Sequence, residues 1–280
     1  MNPISYLERA KGLDRLSGPG QRLARLLPPG RARDALHGVW LGHPLHPVLV
    51  QVPVGTWLSA SLLDARPGGE TASRRLVLAG LAASVPAALA GTADWSEQHE
   101  QQMRVGVVHA LANTAAIALY AVSLAAGGRA AKGLRLAGLT AVAAGGLLGG
   151  HIAFRQSAGA NQAEPVPHLV QPGWHDLMAP AEARELADHK PVKRMLGDVP
   201  VVVVRDENDV HVLADRCCHL SGPLSDGDYQ DGCLTCPWHG STFRVADGSV
   251  ARGPATAPQP VFDTRVTADG ALQVCLPGAG

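Results

Sequence analysis

Charged side chains are missing from much of the N-terminal half of the chain. Four stretches, residues 44–63, 76–93, 105–126 and 136–154, contain no Asp, Glu, Lys or Arg, whereas the chain beyond residue 164 is rich in charge, proline and glycine. A helix of about 20 apolar residues is long enough to cross a bilayer. We therefore expect a multidomain α + β protein, in which a four-helix transmembrane bundle precedes a water-soluble domain. A single soluble enzyme is excluded.

An excess of charge of either sign is also absent. Lys and Arg together number 24, as do Asp and Glu, so no overall field would attract a nucleic acid. We expect no nucleic-acid partner. The N-terminus also has no uninterrupted apolar segment followed by a cleavage site of small residues, so we expect no cleaved signal peptide.

Cysteine is absent before residue 217, and four of the five cysteines lie between residues 217 and 236. Such crowding beside histidines indicates metal binding before disulfide bonds. Cys217 and His219 in one predicted loop, and Cys236 and His239 in a second, give the spacing C-x-H…C-x2-H. Two thiolates and two imidazoles could bind zinc tetrahedrally, or could bind a two-iron, two-sulfur cluster with the cysteines on one iron and the histidines on the other.

Short β-rich runs surround this motif and are separated by Gly, Pro and Asp turns. The runs span residues 200–205, 210–213, 261–266 and 272–276, and they predict an all-β domain. The preceding stretch, residues 157–173, contains three prolines and little regular pattern. We expect it to join the two domains as a semi-flexible linker.

The stretch from Cys217 to Phe243, together with the proline-rich segment at residues 253–258, resembles a Rieske domain, and the likeness covers about residues 174–276. The resemblance implies a [2Fe-2S] cluster, with the proline-rich segment as the loop that shields it. By motif it assigns four ligands: Cys217, His219, Cys236 and His239.

This sequence departs from the Rieske proteins of cytochrome bc complexes at several positions. Gly222 and Trp238 stand where those proteins carry a disulfide, so we expect no disulfide here and expect the other three cysteines to be free thiols. Ser241 keeps a hydroxyl that the resemblance implies is bonded to a cluster sulfur, while Phe243 replaces a tyrosine.

Histidines occur at the ends of the apolar stretches that a four-helix topology places at one depth of the bilayer. Ionisable groups within a membrane tend to face the bundle interior and to serve ligands, protons or cofactors. Because isolated histidines are weak evidence for a cofactor, a structural or proton-relay role is favoured, and haem b, a quinone or another metal are the alternatives. The candidate cofactor-binding residues are His46, His109 and His151.

The string Gly-His-Pro-Leu-His-Pro at residues 42–47, with similar motifs around His109 and His151, resembles a bacterial family of four-helix membrane domains of unknown function. We expect an amphipathic N-terminal segment at residues 1–35, the transmembrane domain at 36–159, the linker at 160–173 and the Rieske domain at 174–277.

These features together predict a membrane-bound iron–sulfur protein that transfers single electrons between a membrane donor, quinol or haem, and a redox partner. We expect an electron-transfer component rather than a stand-alone enzyme, integral to the bacterial plasma membrane, with the cluster on the cytoplasmic face. Two alternatives stay open: a ferredoxin-like donor for an oxygenase, and a membrane-tethered redox sensor.

Overall fold

The computed structural model describes residues 4–277, and the chain divides into two compact units. The helical unit takes in the chain up to Pro29 together with Pro44–Ala158. The second unit takes in Gly30–His43 together with the chain from Gly159 onward. The structure therefore differs from the expected domain bounds, because residues 36–43 belong with the C-terminal domain.

The helical unit begins with three short helices and continues with four longer ones among the described residues. In chain order the helices of this unit are α1 (Ile4–Arg9), α2 (Asp14–Ala24), α4 (His46–Leu49), α5 (Gln51–Asp64), α6 (Glu70–Trp95), α7 (Glu100–Ala125) and α8 (Gly128–Gly150), with α3 (Arg31–His37) in the second unit. A π-helical turn, His151–Arg155, extends α8.

Three helices of the described chain, rather than the four that we predicted, are long and apolar enough to cross a membrane. They are Glu70–Trp95, Glu100–Ala125 and Gly128–Arg155. The predicted span at residues 44–63 is divided at Val50 into α4 and α5. Pro53 has no N–H to offer the carbonyl of Leu49, and its ring crowds that carbonyl, which explains an interruption at this place.

The core of the helical unit depends on close approach of its helices. Trp57 stacks on Tyr120 with ring centroids 4.3 Å apart. A Cβ at Gly80 would lie 2.2 Å from the Trp57 ring nitrogen, and one at Gly138 would lie 2.8 Å from the Tyr120 ring. Small residues thus admit the two aromatic rings between helices, as is usual where membrane helices pack.

The second unit contains two antiparallel sheets, as the run of β-rich segments predicted. The larger sheet has the strand order β1-β10-β9-β4-β3-β2 and the smaller has the order β5-β6-β7-β8. The strands are β1 (His175–Met178), β2 (Val192–Leu196), β3 (Val199–Asp206), β4 (Asp209–Ala214), β5 (Asp228–Gln230), β6 (Cys233–Thr235), β7 (Thr242–Arg244), β8 (Val250–Arg252), β9 (Val261–Val266) and β10 (Leu272–Cys275).

Strand β3 is buried on both faces, and this positions the functional loops. Val201 and Val203 face one apolar core, whereas Val202 and Val204 face a second core that includes Cys217 and Cys236. Alternate side chains of a strand point to opposite faces, so a strand between two cores needs an unbroken apolar run. The four consecutive valines meet that need.

The segment that we expected to be a semi-flexible linker is packed into the second unit. It contains the short helix α9 (Val166–Leu169). The Gln162 N–H donates to the carbonyl of Cys218 at 2.8 Å, and Ala163 is fully buried in the core around the two cysteines. The chain therefore becomes part of the β domain well before β1, contrary to the expected linker at 160–173.

Candidate metal centre

Two loops of the second unit present the predicted ligands with the same backbone geometry. In the loop after β4, the Cys217 N–H donates to Gly222 O at 2.8 Å, and the Ser221 N–H donates to Cys217 O at 2.9 Å. In the loop between β6 and β7, the corresponding bonds are Cys236 N–H to Ser241 O at 2.8 Å and Gly240 N–H to Cys236 O at 3.0 Å.

The residue four positions after each cysteine adopts the left-handed conformation. The φ angle is 63° at Ser221 and 75° at Gly240. Glycine takes this conformation without cost, whereas serine pays a penalty, so Ser221 is held there by the rest of its loop. The two loops are thus equivalent turns, each presenting one cysteine and one histidine.

The four side chains form two pairs with different exposure. Cys217 and Cys236 are buried, with exposed fractions of 1% and 2%, and their thiols interact. The rings of His219 and His239 are only half-buried, and their centroids lie 5.1 Å apart at an interplanar angle of 87°. A sulfur pair inside and an imidazole pair near the surface fit a cluster whose two irons have unlike ligands.

The protein environment favours the neutral thiols of this pair. The hydrogen bond with Cys218 and the burial of the site raise the pKa of Cys217 to about 12. The pKa of Cys236 is raised above its ordinary value, first by its interaction with Cys217 and then by burial. Only thiolates bind iron, so loading of the site must displace these protons.

The proline-rich segment at residues 253–258, here called the cover segment, is bonded to both ligand loops. The Ala255 N–H donates to Ser241 Oγ at 3.0 Å, which leaves the Ser241 proton available for a cluster sulfur. The Cys218 thiol donates to the carbonyl of Ala257 at 3.1 Å. Cys218, one of the three thiols outside the ligand set, therefore fastens the cover segment.

Gln259 is a structural residue of the site that the sequence analysis did not identify. Its Nε2 donates to the carbonyls of Ala214 and Arg216 at 2.7 and 2.6 Å, and its Oε1 accepts from the Cys218 N–H at 3.0 Å. The side chain is 2% exposed. One buried amide thus satisfies one backbone group at the end of β4 and two in the first ligand loop, a pattern with no sequence signature.

No disulfide joins the ligand loops in the described residues, and Cys218, Cys233 and Cys275, the cysteines outside the ligand set, are free thiols. The reason is visible at Gly222. A Cβ on this residue would lie 2.7 Å from Cys236 Sγ and 3.0 Å from the Trp238 ring. The indole occupies the space that a cysteine side chain at position 222 would need.

The structure brings two of the three candidate membrane histidines together. His46 Nδ1 lies 2.8 Å from the carbonyl of Ala87, and His109 Nδ1 lies 2.8 Å from the carbonyl of Gly145. Their ring centroids are 6.3 Å apart. His151 is engaged differently, because its Nε2 lies 2.7 Å from a carboxylate oxygen of Glu8, a partner that we did not predict.

The carbonyl contacts define the tautomers of His46 and His109. A carbonyl can only accept, so each Nδ1 carries the proton and each Nε2 is an acceptor when the ring is neutral. Asn113 Nδ2 donates to the carbonyl of His109 at 2.9 Å and lies 3.2 Å from His109 Nε2. The acceptor nitrogen of His109 is therefore already engaged by the asparagine.

Comparison with known proteins agrees with the β domain and its loops. The model of the family described as "Rieske [2Fe-2S] domain" matches residues 176–263, and that of "Predicted membrane protein (DUF2231)" matches residues 42–162. The ferredoxin subunit of anthranilate 1,2-dioxygenase from Burkholderia cepacia is 32% identical over 101 residues, which are 36% of this chain and 90% of that protein.

Two further relatives are ferredoxins. Ferredoxin CarAc of Metapseudomonas resinovorans is 34% identical over 71 residues, which are 25% of this chain and 66% of that protein. The solved structure of the Sphingomonas yanoikuyae B1 ferredoxin is 26% identical, with coverage of 37% of this chain and 97% of that chain and a TM-score of 0.33.

The fold and the matches to the family model and to the ferredoxin subunit define an iron–sulfur electron-transfer protein. The chain belongs to the Rieske [2Fe-2S] family and carries a helical domain of the DUF2231 type. Its cofactor is a Rieske [2Fe-2S] cluster, and the two cysteines and two histidines of the equivalent loops are the residues that would hold it. Bound there, the cluster takes up and releases one electron.

We predict that Gln259→Ala weakens the site. Loss of the amide leaves the buried carbonyl of Ala214 and the buried N–H of Cys218 unpaired, at a cost of about 1–3 kcal/mol each. We expect the midpoint temperature of cluster bleaching, followed by visible absorption at a fixed heating rate, to fall by roughly 8–15 °C.

The matched control is Gln273→Ala, because the hydrogen bonds of the Gln273 side chain, to Asp176 and Arg265, are exposed. We expect it to change stability by about 1 kcal/mol or less. Equal bleaching temperatures for the two variants would contradict the role given to Gln259.

Proposed function

We propose that the protein is a membrane-bound Rieske carrier that accepts single electrons from a quinol in the bilayer and passes them to a redox partner. The observation that carries the proposal is the joining, in one chain, of a Rieske domain to a helical unit with three membrane-length helices and a pair of oriented imidazoles. Replacement of two thiolates by imidazoles raises the potential of a Rieske cluster above that of plant-type ferredoxins, within the range that a quinol donor can serve.

His46 is the proposed proton acceptor for the quinol. Complete oxidation of a quinol releases two electrons and two protons. The cluster takes up the electrons one at a time, passing the first to the redox partner before it accepts the second, and a base beside the bound headgroup accepts the proton released. The bond from His46 Nδ1 to Ala87 O holds the ring with Nε2 as the acceptor. A ring that is fixed in one tautomer and half-exposed can accept a proton directly from a bound hydroxyl.

Haem b, which we considered as the other occupant, is less well supported by the contacts. A six-coordinate b-type haem with two histidine ligands needs a bare nitrogen on each ring. His109 Nε2 already lies 3.2 Å from Asn113 Nδ2, so only His46 offers its nitrogen. His151 is held by Glu8 and is not proposed as a ligand. The hydrogen bonds of the three histidines therefore favour a quinol at His46 over a haem with two histidine ligands.

A partner protein would meet the half-buried histidines of the cluster site. Trp238 lies beside His239, with ring centroids 6.4 Å apart, and its side chain is 49% exposed. Exposed aromatic side chains often form the centre of a protein contact. Because two relatives are ferredoxins, one of them a dioxygenase subunit, the second candidate function is electron donation to an oxygenase from a membrane-anchored ferredoxin domain.

We predict that His46→Ala slows reduction of the cluster by a short-chain benzoquinol by about a hundredfold or more, because proton transfer by a positioned base contributes about 10²–10⁴ to a rate. Reduction by dithionite should stay unchanged. The measurement is stopped-flow absorption of the full protein in detergent or nanodiscs.

His151→Ala is the matched control, and it should keep wild-type reduction by the quinol because its imidazole is bound to Glu8. Wild-type rates in His46→Ala would contradict the quinol site. A b-type absorption band that is lost in His46→Ala would replace the quinol by a haem, and reduction by an oxygenase reductase alone would favour the ferredoxin role.

We also propose that the cluster domain faces the cytoplasm of a bacterial cell. No Arg-Arg pair precedes α8, the helix that leads to this domain, so nothing in that segment resembles a signal for export of a folded domain. We predict that green fluorescent protein fused after Gly280 fluoresces, whereas alkaline phosphatase at the same place stays inactive. The reverse result would place the domain in the periplasm.

A further inference from the structure

The segment before the first membrane histidines is folded into the cluster domain. Residues 30–43 belong to the second unit, although Pro44–Ala158 of the helical unit separates them in sequence from the rest of it. The segment contains α3 and a 3-10 turn at Val39–Leu41, separated by Gly38 in the left-handed conformation. We call it the pre-membrane segment.

The pre-membrane segment contacts the cover segment at its first residue, Gly253. The Gly253 N–H donates to Asp34 Oδ1 at 3.0 Å. A Cβ on Gly253 would lie 3.0 Å from Val39 Cγ2, 3.2 Å from Asp34 Oδ1 and 3.6 Å from His37 Cδ2. Three side chains thus converge on one backbone position, and a Cβ there would require Val39 and Asp34 to shift by a few tenths of an ångström.

Gly253 lies two residues before Ala255, the first residue of the cover segment that is bonded to a ligand loop. Ala255 is bonded to Ser241 Oγ, and Ala257 is bonded to the Cys218 thiol. The cover segment is therefore fastened at three alternate residues, by three separate parts of the chain. The first fastening comes from Asp34, and the other two come from the ligand loops themselves. Release of Gly253 would loosen the segment at the end where no ligand loop holds it.

We propose that Asp34 is a positioning residue of the cluster site. Its carboxylate holds Gly253 so that Ala255 meets Ser241, and the pre-membrane segment thereby sets how tightly the cover segment closes over the cluster. A carboxylate that accepts a backbone N–H makes a stronger bond than a neutral acceptor does. This role concerns the cluster site alone and holds whichever donor reduces the protein.

The test compares three variants of the full protein in detergent. Asp34→Ala removes the acceptor, Asp34→Asn keeps an oxygen acceptor without the charge, and Gly253→Ala keeps the carboxylate but forces Val39 away. Asp263→Ala, an exposed aspartate on β9, is the control for loss of one negative charge.

Amide exchange of residues 253–257 is measured by mass spectrometry on the metal-free protein. We expect exchange to rise about tenfold in Asp34→Ala and in Gly253→Ala, which corresponds to loss of one ordinary hydrogen bond. Asp34→Asn should raise exchange by less than Asp34→Ala, because its amide oxygen still accepts the bond without the charge, and Asp263→Ala should stay near wild type. Wild-type exchange in Asp34→Ala, or an equal rise in Asp34→Asn, would overturn the proposal.

The loaded protein gives a second readout that a merely structural contact would not move. The reduction potential of the cluster should fall in Gly253→Ala. A displaced cover segment no longer holds the Ser241 hydroxyl in position to donate to a cluster sulfur, and such hydrogen bonds raise the potential, while the Asp34 charge stays in place. Cluster loss to a chelator should be faster in the same variant. An unchanged potential in Gly253→Ala would overturn the claim that the contact acts on the cluster.

Discussion

The paired turns of the two ligand loops are the constraint on which the metal centre depends. In each loop the N–H and the carbonyl of one cysteine are both tied across the turn, at Cys217 and again at Cys236. The sulfurs are thereby held inside the domain and the imidazoles are left near its surface. Buried polar groups must be paired, and here the backbone of each turn meets that need before any iron binds. The side chains remain available as ligands.

A second layer of polar contacts holds these turns in place. Gln259 ties the first loop to the end of β4, and the cover segment ties both loops to each other. Contacts with the backbone also orient side chains in the helical unit, where backbone carbonyls fix the tautomers of His46 and His109. At the other end of α8, Arg135 and Asp64 form a buried ion pair at 2.7 Å, with Ser73 as a further acceptor. The buried charges of Arg135 and Asp64 are thus paired with each other, as burial of a charge requires.

The sequence predicted those parts of the fold whose signals are local and long enough to be periodic. The runs at residues 200–205, 210–213, 261–266 and 272–276 are strands β3, β4, β9 and β10. The strands of the smaller sheet contain three residues each, too few for an alternation to be recognised. The spacing of cysteine and histidine identified the candidate ligands because it is itself a local pattern.

What the sequence did not predict depends on contacts between distant residues or on a single backbone group. The missing N–H of Pro53 divides a stretch whose composition alone suggested a spanning helix. Asp34 and Gly253 are 219 positions apart, and neither local sequence indicates that the two residues are in contact. Likewise, Glu8 gives no sign in the sequence that it meets His151. Residues 160–173 look like a linker by composition, yet Ala163 and Val166 fill the cores of the β domain.

Electron paramagnetic resonance of the reduced, purified protein tests the central claim most directly, because unlike ligands on the two irons give the Rieske cluster its rhombic signal. The account predicts this signal in the wild-type protein and its loss when Cys217 or Cys236 is replaced by serine. It predicts an intact signal when the free thiol of Cys233 is replaced in the same way. Stoichiometric zinc without iron, in protein that also fails to take up iron and sulfide, would contradict it.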